Sequence, residues 1–179
     1  TFTPTNTPTM TPTIFPGSAS MALMLDCDLL QAGIQAECGR PPGVHPVDVG
    51  AVLVNVSGAP FTLATFNFDV LAPQTLMQPL IRPGGLDSNP DFTADTTELV
   101  DWSCGPPNPQ ADADPSPSIV RSTISCFTAS GTGPIVQHGA ILTLAVVRYT
   151  SAGIGDAVLE LDNAAVFDDT FSPVLGCGP

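Results

Sequence analysis

The chain has 179 residues, with four Arg, no Lys and 17 acidic residues, for a formal net charge of −13. That balance excludes a nucleic-acid binder, which needs a basic stripe to displace counterions. An apolar share of 43% excludes a disordered chain, 20 Pro argue against long helices, and the longest strongly apolar run, Ala140–Val147, falls far short of the ~20 residues of a membrane span.

The length suits one domain with an appendage. Beginning without Met and showing no signal peptide, the sequence reads as a processed mature chain or a fragment. The appendage is residues 1–16, which repeat in fours as TFTP, TNTP, TMTP and TIFP. Pro stands at 4, 8, 12 and 16, and Thr at every odd position from 1 to 13. By composition this is an extended linker, O-glycosylated on Thr1, Thr3, Thr5, Thr7, Thr9, Thr11 and Thr13. Strand geometry offers a second reading. Side chains and backbone N–H groups both alternate, so four even-numbered Pro remove donors from one edge only. Such a segment can add to a sheet by its other edge, burying Phe2, Met10 and Ile14 and exposing Thr. Sixteen residues at ~3.3 Å each reach ~53 Å, enough to cross a neighbouring domain.

Residues 17–179 are expected to form a β-sandwich. Ser20–Asp26 is a first strand, with Met21, Leu23 and Leu25 on one face. Asp26–Ala36 is a compact excursion with room for one helical turn. Val47–Ser57 alternates Val52, Val54 and Val56 with Leu53 and Asn55, and Gly58-Ala59-Pro60 turns the chain. Phe61–Leu71 follows, with Phe66, Phe68 and Val70 inward and Thr65, Asn67 and Asp69 outward. From 73 to 117 runs a Pro-rich insert full of turn signals, broken by a short strand at Thr97–Ser103 that carries Trp102. Ile119–Phe127, Ala140–Thr150 and Ala157–Phe167 are three more strands, with Leu142, Leu144 and Val146 as one inward row and Leu159 and Leu161 as another. Many short strands with Gly/Pro turns and no amphipathic helix predict a jelly-roll or Greek-key sandwich of about eight or nine strands.

Two blocks carry a family resemblance. VGAVLVNVSGAPFTLATFNFDV (49–70) and HGAILTLAVVRYTSAGIGDAVLELDNAAVFD (138–168) resemble the cohesin and carbohydrate-binding-module superfamily. In it an alternating Val strand precedes a Phe-x-Phe strand, and a Gly-led apolar strand precedes one ending in Asn or Asp. The resemblance implies an extracellular nine-stranded jelly roll that binds protein partners or polysaccharide. The insert and the cysteines depart from the usual pattern, and no binding residues are carried over.

Five Cys in an acidic, Lys-free chain point to an oxidising, extracellular setting. Proximity favours Cys27–Cys38, closing the excursion, and Cys104–Cys126, stapling the insert, which leaves Cys177 over. Pairing of Cys177 with Cys27 or Cys38 is an equal alternative. Catalysis is not expected. Asp87, Asp91 and Asp95, then Asp112 and Asp114, then Asp168 and Asp169, lie in solvated turns without the pocket a catalytic carboxylate needs. No GxSxG occurs, and His45 and His138 are isolated. No cofactor is expected. Asp87, Asp91 and Asp95 offer the one Ca²⁺ candidate, with solvated turn aspartates as the default. Trp102 and Tyr149 suit core packing better than a sugar platform. Asn55-Val56-Ser57 is a glycosylation sequon, but it lies within a predicted strand.

The leading expectation is a structural subunit of an extracellular filament or surface polymer. Its N-terminal strand would dock head-to-tail on a neighbouring copy, a contact that does not close. The alternative is a cohesin-like or carbohydrate-binding module on a glycosylated linker in a larger surface protein.

Overall fold

The computed structural model describes residues 21–36, 46–79, 102–104, 108–111, 119–128, 133–151 and 155–176. Within them run eleven strands: β1 (Met21–Asp26), β2 (Pro46–Asn55), β3 (Phe61–Pro73), β4 (Met77–Pro79), β5 (Trp102–Cys104), β6 (Asn108–Ala111), β7 (Ile119–Thr128), β8 (Ile135–Val136), β9 (Ile141–Ser151), β10 (Glu160–Asp168) and β11 (Pro173–Gly176). The count exceeds the expected eight or nine because β4, β5, β6 and β8 are pieces of two to four residues.

Every pairing is antiparallel, and the strands form two sheets. One has the order β1-β2-β9-β4; the other has β11-β10-β3-β7-β5, with β6 also on β7 and β8 on β3. Sequence neighbours β2 and β3 lie in different sheets, as do β9 and β10, which makes the sandwich a crossed jelly-roll arrangement.

The core lies between the sheets. Phe66, Phe68 and Val70 of β3 point inward, as their alternation predicts, and meet Leu23, Leu53 and Leu144 from the facing sheet, all essentially without solvent exposure. Phe66 stacks on Phe68 at 5.9 Å and meets Trp102 at 5.2 Å between ring centroids. Burying each such ring contributes about 2–3 kcal/mol.

Two bulges alter the inward rows. The β2–β9 register shifts between Ala51 and Val52. Beyond it Val147 and Tyr149 turn to the core, and Val146, expected inward with Leu142 and Leu144, does not. In β10 a second shift lies between Asp162 and Ala165, so Leu159 and Leu161 are followed inward by Ala164 and Val166.

The excursion after β1 contains turns and bends rather than a helical turn. Asp26 organises it: its Oδ1 accepts from the N–H of Asp28 at 3.0 Å and of Gln35 at 3.2 Å. Leu29 then folds back over Gly50 of β2, occupying the space a Cβ would need there. Gly139, at φ +74°, makes the tight entry to β9 and donates its N–H to the Asn55 carbonyl at 2.8 Å.

Candidate functional face

The outer face of the larger sheet is built from the alternate residues of β10, β3 and β7. At its centre the register sets Asp162 of β10 opposite Asp69 of β3, and Asp69 opposite Thr123 of β7. Arg121, one step along β7, reaches back with Nη1 to donate to Asp69 Oδ2 at 2.5 Å and Asp162 Oδ2 at 3.1 Å. Asn163 Nδ2 donates to the same Asp69 oxygen at 2.7 Å, and Asn67 Nδ2 donates to the Asn163 carbonyl at 2.9 Å. Asn163 sits at the β10 bulge with φ 50°, a left-handed conformation that Asn tolerates better than most residues. The bulge aims the Asn163 amide at Asp69.

Asp69 is almost fully buried, while Asp162 remains half open to solvent. Two carboxylates thus share one guanidinium, and the cluster keeps a net negative charge. Its worth is geometric. A fixed polar group in the middle of a sheet face holds its donors and acceptors at set positions, and breaking a buried pair by removing one partner costs about 3 kcal/mol or more.

One end of this face is apolar. Phe167, Thr65 and Phe127 lie in one row across β10, β3 and β7. Phe127 is 52% exposed, and beyond it Ile135 of β8, opposite Thr62, is 62% exposed. The β10–β11 turn adds Phe171, 70% exposed and at φ 58°. Asp168 holds that turn: its Oδ1 accepts from the Thr170 hydroxyl at 2.6 Å and from the N–H of Thr170 and Ser172 at 2.9 and 2.8 Å. Hydrogen bonding, first from the Thr170 hydroxyl, holds the Asp168 carboxyl below the usual carboxylate range. Asp168 and Asp169 are therefore turn residues. The other end of the face opens into a cavity of about 280 Å³ between the ends of β3 and β7 and the lead-in to β10.

The smaller sheet differs. Its outer face carries a bidentate pair, Arg148 Nε to Asp48 Oδ1 at 2.6 Å and Nη2 to Oδ2 at 2.8 Å. Tyr149 is fully buried and Trp102 half-buried against Phe66, so neither is presented as a sugar platform. Burial pushes the Tyr149 hydroxyl far above the usual phenol range, and the neighbouring Ser122 hydroxyl offsets this only in part. Neither hydroxyl has a well-formed hydrogen bond among the described residues. His138 bonds the Ser57 carbonyl through Nδ1, a structural contact.

Asn55 of the sequon is completely buried. Its Nδ2 donates to the carbonyls of Ala59 at 3.1 Å and Val136 at 2.9 Å, and its Oδ1 accepts from the Ser57 N–H and hydroxyl. Cys27 and Cys126 are each in a disulfide, and the register sets Cys104 directly opposite Cys126. Phe2, Met10, Ile14, the Thr of residues 1–13, Cys38, Cys177 and the calcium candidates Asp87, Asp91 and Asp95 lie outside the described residues, as do Asp112 and Asp114. No group of three or more metal-ligating side chains occurs among the described residues. No helix among the described residues is long and apolar enough to cross a membrane.

Among solved structures, the chain is similar to the sixth cohesin of scaffoldin B from Acetivibrio cellulolyticus, solved in complex with a mutant Cel5 dockerin. The TM-score is 0.53 at 15% identity, over 89% of this chain and 94% of that one. The fold is cohesin-like. A chain of the CaDoc0917–CaCohA2 complex is also similar, with a TM-score of 0.48 at 12% identity over 73% of this chain and 82% of that one. No protein-family model matches the chain, and no curated protein does.

Sequence reasoning missed the central cluster of this cohesin-like sandwich. Two signals for it were present. Asp69 and Arg121 both fall on outward positions of neighbouring strands, and Arg is scarce enough in this chain for each one to carry meaning. Asp162-Asn163 inside an apolar strand is also a bulge signal.

Proposed function

We propose that this chain is an extracellular protein-docking module, which receives a partner on the outer face of the larger sheet. The observation that carries this reading is the composition of that face. A fixed polar centre, Asp69, Arg121, Asp162 and Asn163, adjoins the exposed apolar residues Phe127, Ile135 and Phe171. Exposed aromatic residues beside pre-set hydrogen-bonding groups are the usual make-up of a protein interface. The cohesin-like fold supports a partner of the dockerin type, since the similar Acetivibrio cohesin was solved with one. The face binds and orients; Asp69 and Asp162 are held by Arg121, and Asp168 by its turn.

Immobilised full-length chain is expected to capture a dockerin module, and Thr123→Arg, in the open centre of the face, to weaken capture at least ~10-fold, or ~1.4 kcal/mol. Thr143→Arg, on the outer face of the smaller sheet, should leave capture unchanged. Equal effects of the two substitutions would exclude this face.

The proline spacing favours a second reading, a head-to-tail polymer. Residues 1–16 would add to a free sheet edge of the next copy, anchored by Phe2, Met10 and Ile14, with glycosylated Thr outward. Deleting residues 1–16 should then give a folded monomer and abolish filaments in electron micrographs. Filaments that persist after the deletion refute the polymer and leave the docking face untouched.

A further inference from the structure

We infer that the cavity at the far end of the docking face is a receptor for a long cationic side chain, a lysine in the first place, from the partner protein. The inference rests on the docking reading and specifies the chemistry of the same face. Leu71 and Pro73 of β3, Ile119 of β7 and Val158 before β10 form apolar walls around about 280 Å³. The register fixes them: Pro73 lies opposite Ile119, and Leu71 opposite Glu160. Asp156 and Glu160 stand at the rim, both exposed. The nearby Arg121 guanidinium is already held by Asp69 and Asp162.

An apolar slot ending in carboxylates matches one kind of side chain. A lysine packs its four-carbon stem along apolar surface and keeps its ammonium among oxygen acceptors. Neutral aliphatic side chains would leave the rim carboxylates without a cation, and acidic ones would be repelled. The charge of the whole molecule acts in the same direction. A chain at −13 draws a basic surface toward it before contact is made.

The test uses isotope-labelled full-length chain and pentylammonium, a lysine side chain together with its Cα, followed by amide shifts in NMR. Saturable shifts are expected at residues 71, 72, 119 and 156–160, with binding at least 10-fold tighter than for pentanol or for ammonium alone. The Asp156→Asn/Glu160→Gln double variant, folded by its spectrum, should bind at least 10-fold more weakly. The inference is overturned by absence of saturable shifts, by equal binding of pentanol, or by an unaffected double variant. Dockerin capture that persists with no pentylammonium binding overturns the cavity and spares the docking face. Cavity binding without any dockerin capture supports the cavity and removes the dockerin-type partner.

Discussion

Asn55 shows how one polar side chain can organise a junction. It is buried at the end of β2, where its amide joins the Gly58 turn to β8, 81 residues later in the chain. Both hydrogens of Nδ2 are engaged, and Oδ1 holds the Ser57 turn. Attachment of a glycan would require that nitrogen to be free and outside. Offered to an oligosaccharyltransferase after folding, the chain should gain no glycan at Asn55, as read by intact mass before and after a glycosidase. Asn55→Asp places oxygens against two carbonyls in a buried site. It should lower unfolding stability in urea by about 3 kcal/mol, the cost of stranding buried polar groups. An unchanged urea midpoint would remove Asn55 from this role.

At the scale of elements, alternation was the reliable signal. Phe66, Phe68 and Val70 against Thr65, Asn67 and Asp69 reveal the facing of β3 from sequence, because a strand in one of two facing sheets turns one row of side chains to the core. Val146 was misread for an equally physical reason. One extra residue in β9 shifts the phase of everything after it, and nothing in AVV marks where that residue lies. The apolar pattern starts β10 at residue 157, but the lead-in to Glu160 is irregular and lines the cavity instead. The central cluster of the larger sheet's outer face was not legible because it is assembled across strands distant in sequence. Asp69 and Arg121 are separated by 52 residues, and Asp69 and Asn163 by 94. Alternation says which way a side chain points, while register says whom it meets.

For the whole molecule, the disulfides set how firmly the sheets hold. Cys126 lies inside the core, and β5, whose Cys104 is its register partner, is only three residues long. We propose Cys104–Cys126 as the bridge that pins this short edge strand to β7. Peptide mapping without reductant should recover that pair, and recovery of Cys126 with Cys38 or Cys177 would overturn it. A bridge over a loop of this size is worth about 3 kcal/mol, so Cys126→Ser should lower stability by that order in a denaturant titration.

The pairing of β2 with β9 has a consequence for the history of each molecule. Asp48 meets Arg148 at a separation of 100 positions, and among the described residues β1 pairs within its sheet only with β2. The first half of the chain therefore has no complete sheet to join until the second half has been made. Contacts of such long range cost loop entropy before they return any stabilisation, so pairing of both sheets waits until the later strands exist. The nascent chain stays open for most of its length. Closure then comes late and nearly all at once, when β9 and β10 complete the two sheets.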